Sequence, residues 1–167
     1  MTVIRARSYS YAGGWGTDTT ISAESPYNAI DPVLDADAYG NVLVAWRLQN
    51  EQRDTIGRAW LAPGGIWNEP ETMVTDGATT FARIAMNNAG DAVMLWGVSG
   101  SQAGTYDLAV SRYTPGGDWA AADKIQSGGS LSISPLMKLD GSGTAMIVWN
   151  ARTDNRMEIW SSRYWPR

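Results

Sequence analysis

Apolar and polar residues alternate along this chain in short runs separated by glycine-rich breaks, and the runs are too short and too regular for helices. In one of them Val42, Val44 and Trp46 interleave with Leu43 and Ala45, so both faces are apolar. That pattern predicts a strand covered by a layer on each side. No segment sustains a 3.6-residue apolar period between capping residues, so helix content is expected to be close to nil. Just before the Val42 run stands Asp37-Ala38-Tyr39-Gly40, a tight hairpin signature in which Gly40 supplies the positive φ. A Gly-Gly pair marks the next turn. The local chemistry thus predicts four successive strands, a over residues 32–37, b over 41–48, c over 55–61 and d over 67–74.

The pattern repeats. Asp37 to Trp46, Asn87 to Trp96 and Asp140 to Trp149 each read Asp or Asn, two residues, Gly, then five residues to Trp. A second signature interleaves with the first: Ile4 to Trp15, Ile56 to Trp67 and Leu108 to Trp119, each with Gly-Gly just before the Trp. A fourth copy of it opens at Ile159. The apolar starts of these copies lie 52, 52 and 51 residues apart. Four antiparallel strands in each period of about 50 residues are the mark of β-propeller blades. The predicted divisions are 1–27 (strands c and d), 28–77, 78–130 and 131–167 (strands a to c), all within a single domain. Trp15, Trp46, Trp67, Trp96, Trp119 and Trp149, with Gly40, Gly90 and Gly143, are expected to be structural: packing between blades for the tryptophans, turns for the glycines.

On these motifs the chain resembles a bacterial β-propeller repeat family with a D-x-x-G-N-x-x-x-x-W and G-G-x-W pattern. The Ser-x-Asp-x-Gly-x-x-Trp box of sialidase-like propellers and the Trp-Asp ending of WD40 blades are absent. About three blades cannot close a ring, because propellers typically need at least four. Open blades leave apolar faces and strand edges unpaired. The expectation is therefore a homo-oligomer, with two chains giving six blades and the first c–d strands of one chain clasping the last blade of the next. Strand c is then present twice at each junction, one copy more than a blade needs.

Composition narrows the function. There is no Cys and no His among the 167 residues, which removes thiolate and imidazole metal sites and His- or Cys-based catalysis. No cofactor or metal is expected. Asp35-Ala36-Asp37 with Gly40 looks superficially like a calcium loop but lacks the further acidic ligands, and its counterparts at Asn87 and Asp140 read as the same hairpin. Net charge is −4, from 13 basic and 17 acidic residues, which disfavours a nucleic-acid partner. No run of 18 apolar residues is present, so no membrane span is expected, and the compartment stays open between cytoplasmic and mature extracellular.

Candidate ligand residues lie in the b–c loops, the longest and most polar connections. They are Arg47, Gln49, Asn50 and Arg53 in the first; Tyr106 and Asp107 in the second; Asn150, Arg152 and Asn155 in the third; and Trp60, a tryptophan outside the repeat. Arg forks, amides and carboxylates beside aromatic rings suit sugar hydroxyls. Trp160 and Trp165, also outside the repeat, are expected to seal a subunit junction. By analogy with propeller lectins, the expected function is non-catalytic carbohydrate binding at repeated weak sites, made multivalent by self-association. Two rivals stand beside it. One is a scaffold or protein-interaction half-propeller without a small-molecule ligand. The other is a carboxylate-dependent glycoside hydrolase or lyase, which requires facing acids, and Asp31, Asp35, Glu51 and Asp54 are the acids that could converge.

Overall fold

A computed structural model describes residues 1–23, 26–49, 54–73, 75, 77–100, 102–130, 135–153 and 156–165, with the side chains of 130 and 153 left aside. Three of the candidate ligand residues, Asn50, Arg53 and Asn155, lie outside the described residues, as do Glu51 and Asp154. Among the described residues every regular element is a strand. The first four are short, β1 (Arg5–Ala6), β2 (Tyr9–Ser10), β3 (Gly14–Trp15) and β4 (Thr19–Thr20). The first full blade is β5 (Asn28–Ala36), β6 (Val42–Gln49), β7 (Thr55–Leu61) and β8 (Glu71–Met73). The second is β9 (Thr79–Met86), β10 (Ala92–Ser99), β11 (Thr105–Tyr113) and β12 (Asp123–Ser130). The third contributes β13 (Leu136–Leu139), β14 (Ala145–Thr153) and β15 (Arg156–Tyr164).

Pairing is antiparallel between chain neighbours within each blade, in the orders β5-β6-β7-β8 and β9-β10-β11-β12. In the third blade β14 lies between β13 and β15. The leading strand of each blade adjoins that of the next, β5 beside β9 and β9 beside β13, so these strands form the inner edge of the array. At the start of the chain β1 pairs with β4 and β2 with β3, giving an interrupted c–d hairpin rather than two continuous strands. Strand a begins four residues earlier than its apolar pattern indicates. Strand d of the first blade opens at Glu71 rather than at Trp67, which is joined to Leu61 by an isolated bridge.

Burial follows the two-faced pattern of the b strands. Val44 and Trp46 turn toward the opening hairpin and pack with Ile4, Ile21, Ala29 and Ala59. From the other face of β6, Ala45 joins Ile56, Met94, Trp96 and Val98 between the first and second blades. Val93 and Leu95, on the opposite face of β10, meet Ala145, Ile147 and Trp149 of the third. Each blade is therefore glued to the next by a separate apolar layer, and each repeat Trp of strand b points back at the preceding element. Gly57 lies across from Trp46 in the ladder, and a Cβ there would collide with the indole.

The a–b hairpins carry the polar half of the inter-blade seam. Asp37, Asn87 and Asp140 each use Oδ1 to accept the backbone N–H groups two and four residues on, which closes the turn around Gly40, Gly90 and Gly143 at φ of 90°, 82° and 79°. Neighbouring hairpins are also tied together. The Ala38 N–H donates to Asn88 Oδ1 at 2.9 Å, and Asn87 Nδ2 donates to the Asp140 carbonyl at 3.1 Å.

These bonds hold two of the carboxyls below the ordinary Asp range. At Asp37 the cost of burial is outweighed by the Asn41 side chain and by backbone N–H donors, and at Asp140 the Ser142 hydroxyl leads, followed by the Thr144 N–H. A carboxyl whose folded pKa is depressed stabilises the fold above its unfolded pKa, and loses that contribution as pH falls through the folded value. Acid destabilisation from these turns should therefore begin below about pH 4. The double variant Asp37→Asn/Asp140→Asn retains an Oδ1 acceptor, as Asn87 does, and should show a smaller drop in Tm between neutral and acidic buffer than the parent.

Candidate functional site

The two ends of the blades differ. One carries the b–c connections, beyond Gln49 in β6 and before Thr55 in β7; the other carries the a–b hairpins. At the b–c end of the first blade, strand β5 breaks register: Ile30 faces Arg47, but Val33 faces Ala45, so Asp31 and Pro32 together oppose Trp46. Pro32 has no N–H to give the ladder, and an extra residue in one strand bends it and re-aims the side chains around it. Asp31 has φ 51°, and is the one non-glycine among the described residues with positive φ. A backbone in that region is costly for a residue with a Cβ, and such strain concentrates where a side chain must be aimed.

The aim is at Arg47. Its Nη2 lies 3.0 Å from Asp31 Oδ2 and its Nη1 lies 3.3 Å from Asp54 Oδ2. One guanidinium thus bridges two carboxylates drawn from strand a and from the start of strand c. Arg47 and Asp54 are largely covered, at 21% and 17% side-chain exposure, whereas Asp31 is 62% exposed. The backbone carbonyl of Asp54 accepts the Thr79 N–H at 3.0 Å, fixing the cluster to the seam with the second blade. The outcome is a rim with charged acceptors at its surface and a fixed cation beneath them. It can take hydroxyl donors at Asp31 without moving the Arg that sets its position.

The other sequence candidates are distributed around the molecule. Gln49 is exposed, opposite Asn28 on the same blade end. Trp60 is half-buried between the first two blades, 4.9 Å from the Tyr113 ring. Tyr106 is half-buried in β11 across from Ser99 and Gly129. Asp107 accepts the Gly128 N–H at 2.8 Å and pairs with Lys124 at 3.0 Å; the Gly128 bond first and Lys124 second hold its carboxyl below the usual range. Asn150 and Arg152 lie on the outward face of the third blade, opposite Ile159 and Met157. Of the four acids considered for convergence, Asp31 and Asp54 meet at Arg47. Asp35 instead accepts the Met86 and Ala36 N–H groups. Asp31 carried a signal that propensity alone overlooks: an Asp-Pro step inside a strand with inner neighbours demands a bulge.

Two concavities are at the opposite end, where the a–b hairpins lie, and they flank Trp165. One groove of about 410 Å³ is lined by Lys138, Asp140, Met146, Arg163 and Trp165 among others. The second, of about 330 Å³, is lined by Arg112, Asp118, Asp123, Tyr164 and Trp165. The Arg163 guanidinium stands 5.8 Å over the Trp165 ring. Among the described residues no cluster of three or more Asp or Glu could hold a metal ion, and no helix is long and apolar enough to cross a membrane.

No protein-family model matches the sequence, and no curated protein matches it. Among solved structures, an endo-arabinase from Bacteroides thetaiotaomicron is similar to this chain at a TM-score of 0.56 and 16% identity, over 95% of this chain and 64% of that one. The chain thus spans just under two thirds of the structure it matches. Identity at that level speaks for architecture alone, and with the strand orders above it makes this chain an all-β partial propeller.

Proposed function

We propose that this protein is a non-catalytic carbohydrate-binding propeller and that the Asp31–Arg47–Asp54 cluster is its sugar-contacting group. The observation that carries this reading is Asp31 itself, held at positive φ by a bulge and left exposed with its carboxylate anchored on Arg47. A strained backbone that presents an anchored acceptor to solvent is the arrangement a polar ligand needs, since the aiming is done before the ligand arrives. The shared fold with an endo-arabinase favours a saccharide as that ligand. Gly97 and Asn150 stand where the repeat places Arg47 in the following blades, so the cluster occurs once per chain among the described residues. Multivalency then depends on assembly of several chains rather than on repeated sites within one.

Titration of the folded protein with linear arabino-oligosaccharides, preceded by a glycan array, tests the reading by calorimetry. Asp31→Asn keeps the shape but removes the charge, and is expected to weaken binding about tenfold, the loss of one charge-assisted hydrogen bond. A folded protein that binds no glycan, or an Asp31→Asn variant that binds as well as the parent, overturns it. The first of these outcomes favours a bare scaffold.

The endo-arabinase likeness also supports a hydrolase as a second reading. Against it, Asp31 and Asp54 share one cation rather than facing each other across an open cleft. Oligosaccharide release from arabinan that disappears in Asp54→Asn would favour hydrolysis over binding.

A further inference from the structure

We propose that the outward face of the third blade binds a second copy of this chain, laying its β13 and β14 over Leu34 in β5 of that copy. Ladder register puts Leu136, Val148 and Ser161 abreast on this face, with Lys138, Met146 and Arg163 in the next row and Asn150 beside Ile159. The face is open and carries apolar side chains among its polar ones: Leu136 is 72% exposed, Ile159 79%, Met157 56% and Met146 39%.

The repeat identifies what covers such a face. Met146 occupies the place of Leu43 and Val93, and Ile159 the place of Ile56 and Leu108. All four counterparts are at 1% exposure or less, each packed under the following blade of this same chain. The cover is therefore the backward face of another such blade, and the chain carries one that is incompletely covered. Leu34 is the counterpart of Ile84. Ile84 packs with Val33 into the layer between the first two blades and also meets Leu43, whereas Leu34 is 69% exposed. Leu136 stands in the place of Val33 and Met146 in that of Leu43, so the contact of Leu136 and Met146 with a second copy's Leu34 repeats the seam already made within the chain. The 410 Å³ groove beside Met146 and Arg163 lies at the level that Ile84, Met86 and Trp119 fill in the seam between the first and second blades.

The opening hairpin defines the geometry further. Ile4 is already buried against the first blade, on the side where the repeat would set an Ile159. The hairpin thus holds outer-strand positions over that blade and leaves the inner positions, over Leu34, to β13 and β14 of the second copy. One blade is then built from the inner strands of one chain and the outer strands of another. β15 becomes the surplus strand at that junction, which is where the duplicated strand c goes. The contact joins two different faces, so it runs head to tail and must close by rotation. This inference is independent of the sugar reading, because Asp31–Arg47–Asp54 lies at the other blade end.

The test exploits the absence of native cysteine. In solution the parent should have about twice the 18.1 kDa chain mass or a higher multiple of it; a mass of one chain at micromolar concentration overturns the proposal. The double variant Leu34→Cys/Leu136→Cys should form interchain disulfides on mild oxidation, while neither single variant does so. Equal cross-linking by a single variant would indicate a symmetric contact and overturn the head-to-tail seam. Leu136→Asp, at a position exposed in the chain, should keep its β-sheet circular dichroism and weaken association at least about tenfold. Undiminished association in that variant also overturns the proposal.

Discussion

Trp96→Ala is expected to lower unfolding free energy by about 3–5 kcal/mol, a large fraction of the roughly 5–15 kcal/mol that holds a typical domain together. Trp96 is 2% exposed and central to the layer joining the first two blades, with Ala45 and Ile56 on one side and Met94, Val98 and Ala109 around it. Small neighbours such as the two alanines cannot expand into the space, so most of the cavity persists. Thermal denaturation should show Tm falling by about 10 °C or more for a chain of this size. Trp15→Ala is the control. Trp15 shares the aromatic character of the repeat but is 65% exposed, its ring resting edge-on against Tyr9 at 5.2 Å. In the isolated chain its loss should change stability by no more than about 0.5 kcal/mol. Equal effects at the two positions would mean that the blades are not glued by the layers described.

Arg112→Ala is expected to be the most damaging change at a charged residue, at about 2–3 kcal/mol. Arg112 is 11% exposed, with Nη2 at 3.0 Å from Asp91 Oδ1, while Nη1 donates to the Gly143 carbonyl of the third blade. It therefore latches the second blade's hairpin and the third blade's hairpin through one side chain. Removing it leaves Asp91, itself only 14% exposed, without its cation, and leaves the Gly143 carbonyl short of this donor. Stranding a buried charge costs about 3–5 kcal/mol when burial is complete, and partial exposure lowers that toward 2–3. The contrast is Arg7 with Asp18. That pair is short, at 2.6 Å, but both side chains are nearly half exposed, and water screens them. Arg7→Ala should change stability far less than Arg112→Ala. Urea denaturation of both variants checks the ranking, and a larger effect at Arg7 than at Arg112 would show that inter-blade latching contributes little.

Much of the blade architecture was legible in the residue pattern because it arises from short-range steric rules. Val42–Trp46 is short, apolar on both faces and bounded by Gly40, which favours a strand between layers, and Asp37 with Gly40 favours a tight turn. Element ends were less legible. β5 starts at Asn28 because its partner strand β6 runs on to Gln49, and β8 opens only at Glu71, after Trp67 has made a single bridge to Leu61. The candidate site was legible in kind but not in membership. Arg47 was recognisable as a polar fork, but it lies within β6 rather than in the b–c loop, and its partners Asp31 and Asp54 lie 16 residues before it and seven after it.

What the sequence by itself determined, then, is the repeat: which residues form strands, where they turn and which tryptophans recur. Those properties depend on alternation and backbone sterics within a few residues. The tertiary structure alone decided which copy of each repeated residue is covered. Trp119 and Trp15, or Leu43 and Met146, are equivalent in the pattern, but a side chain is covered only if another blade stands over it. That depends on place in the array, which no local rule encodes. The same is true of the Asp31 bulge, whose aim at Arg47 is fixed by pairing with a strand that the Asp-Pro step itself does not specify.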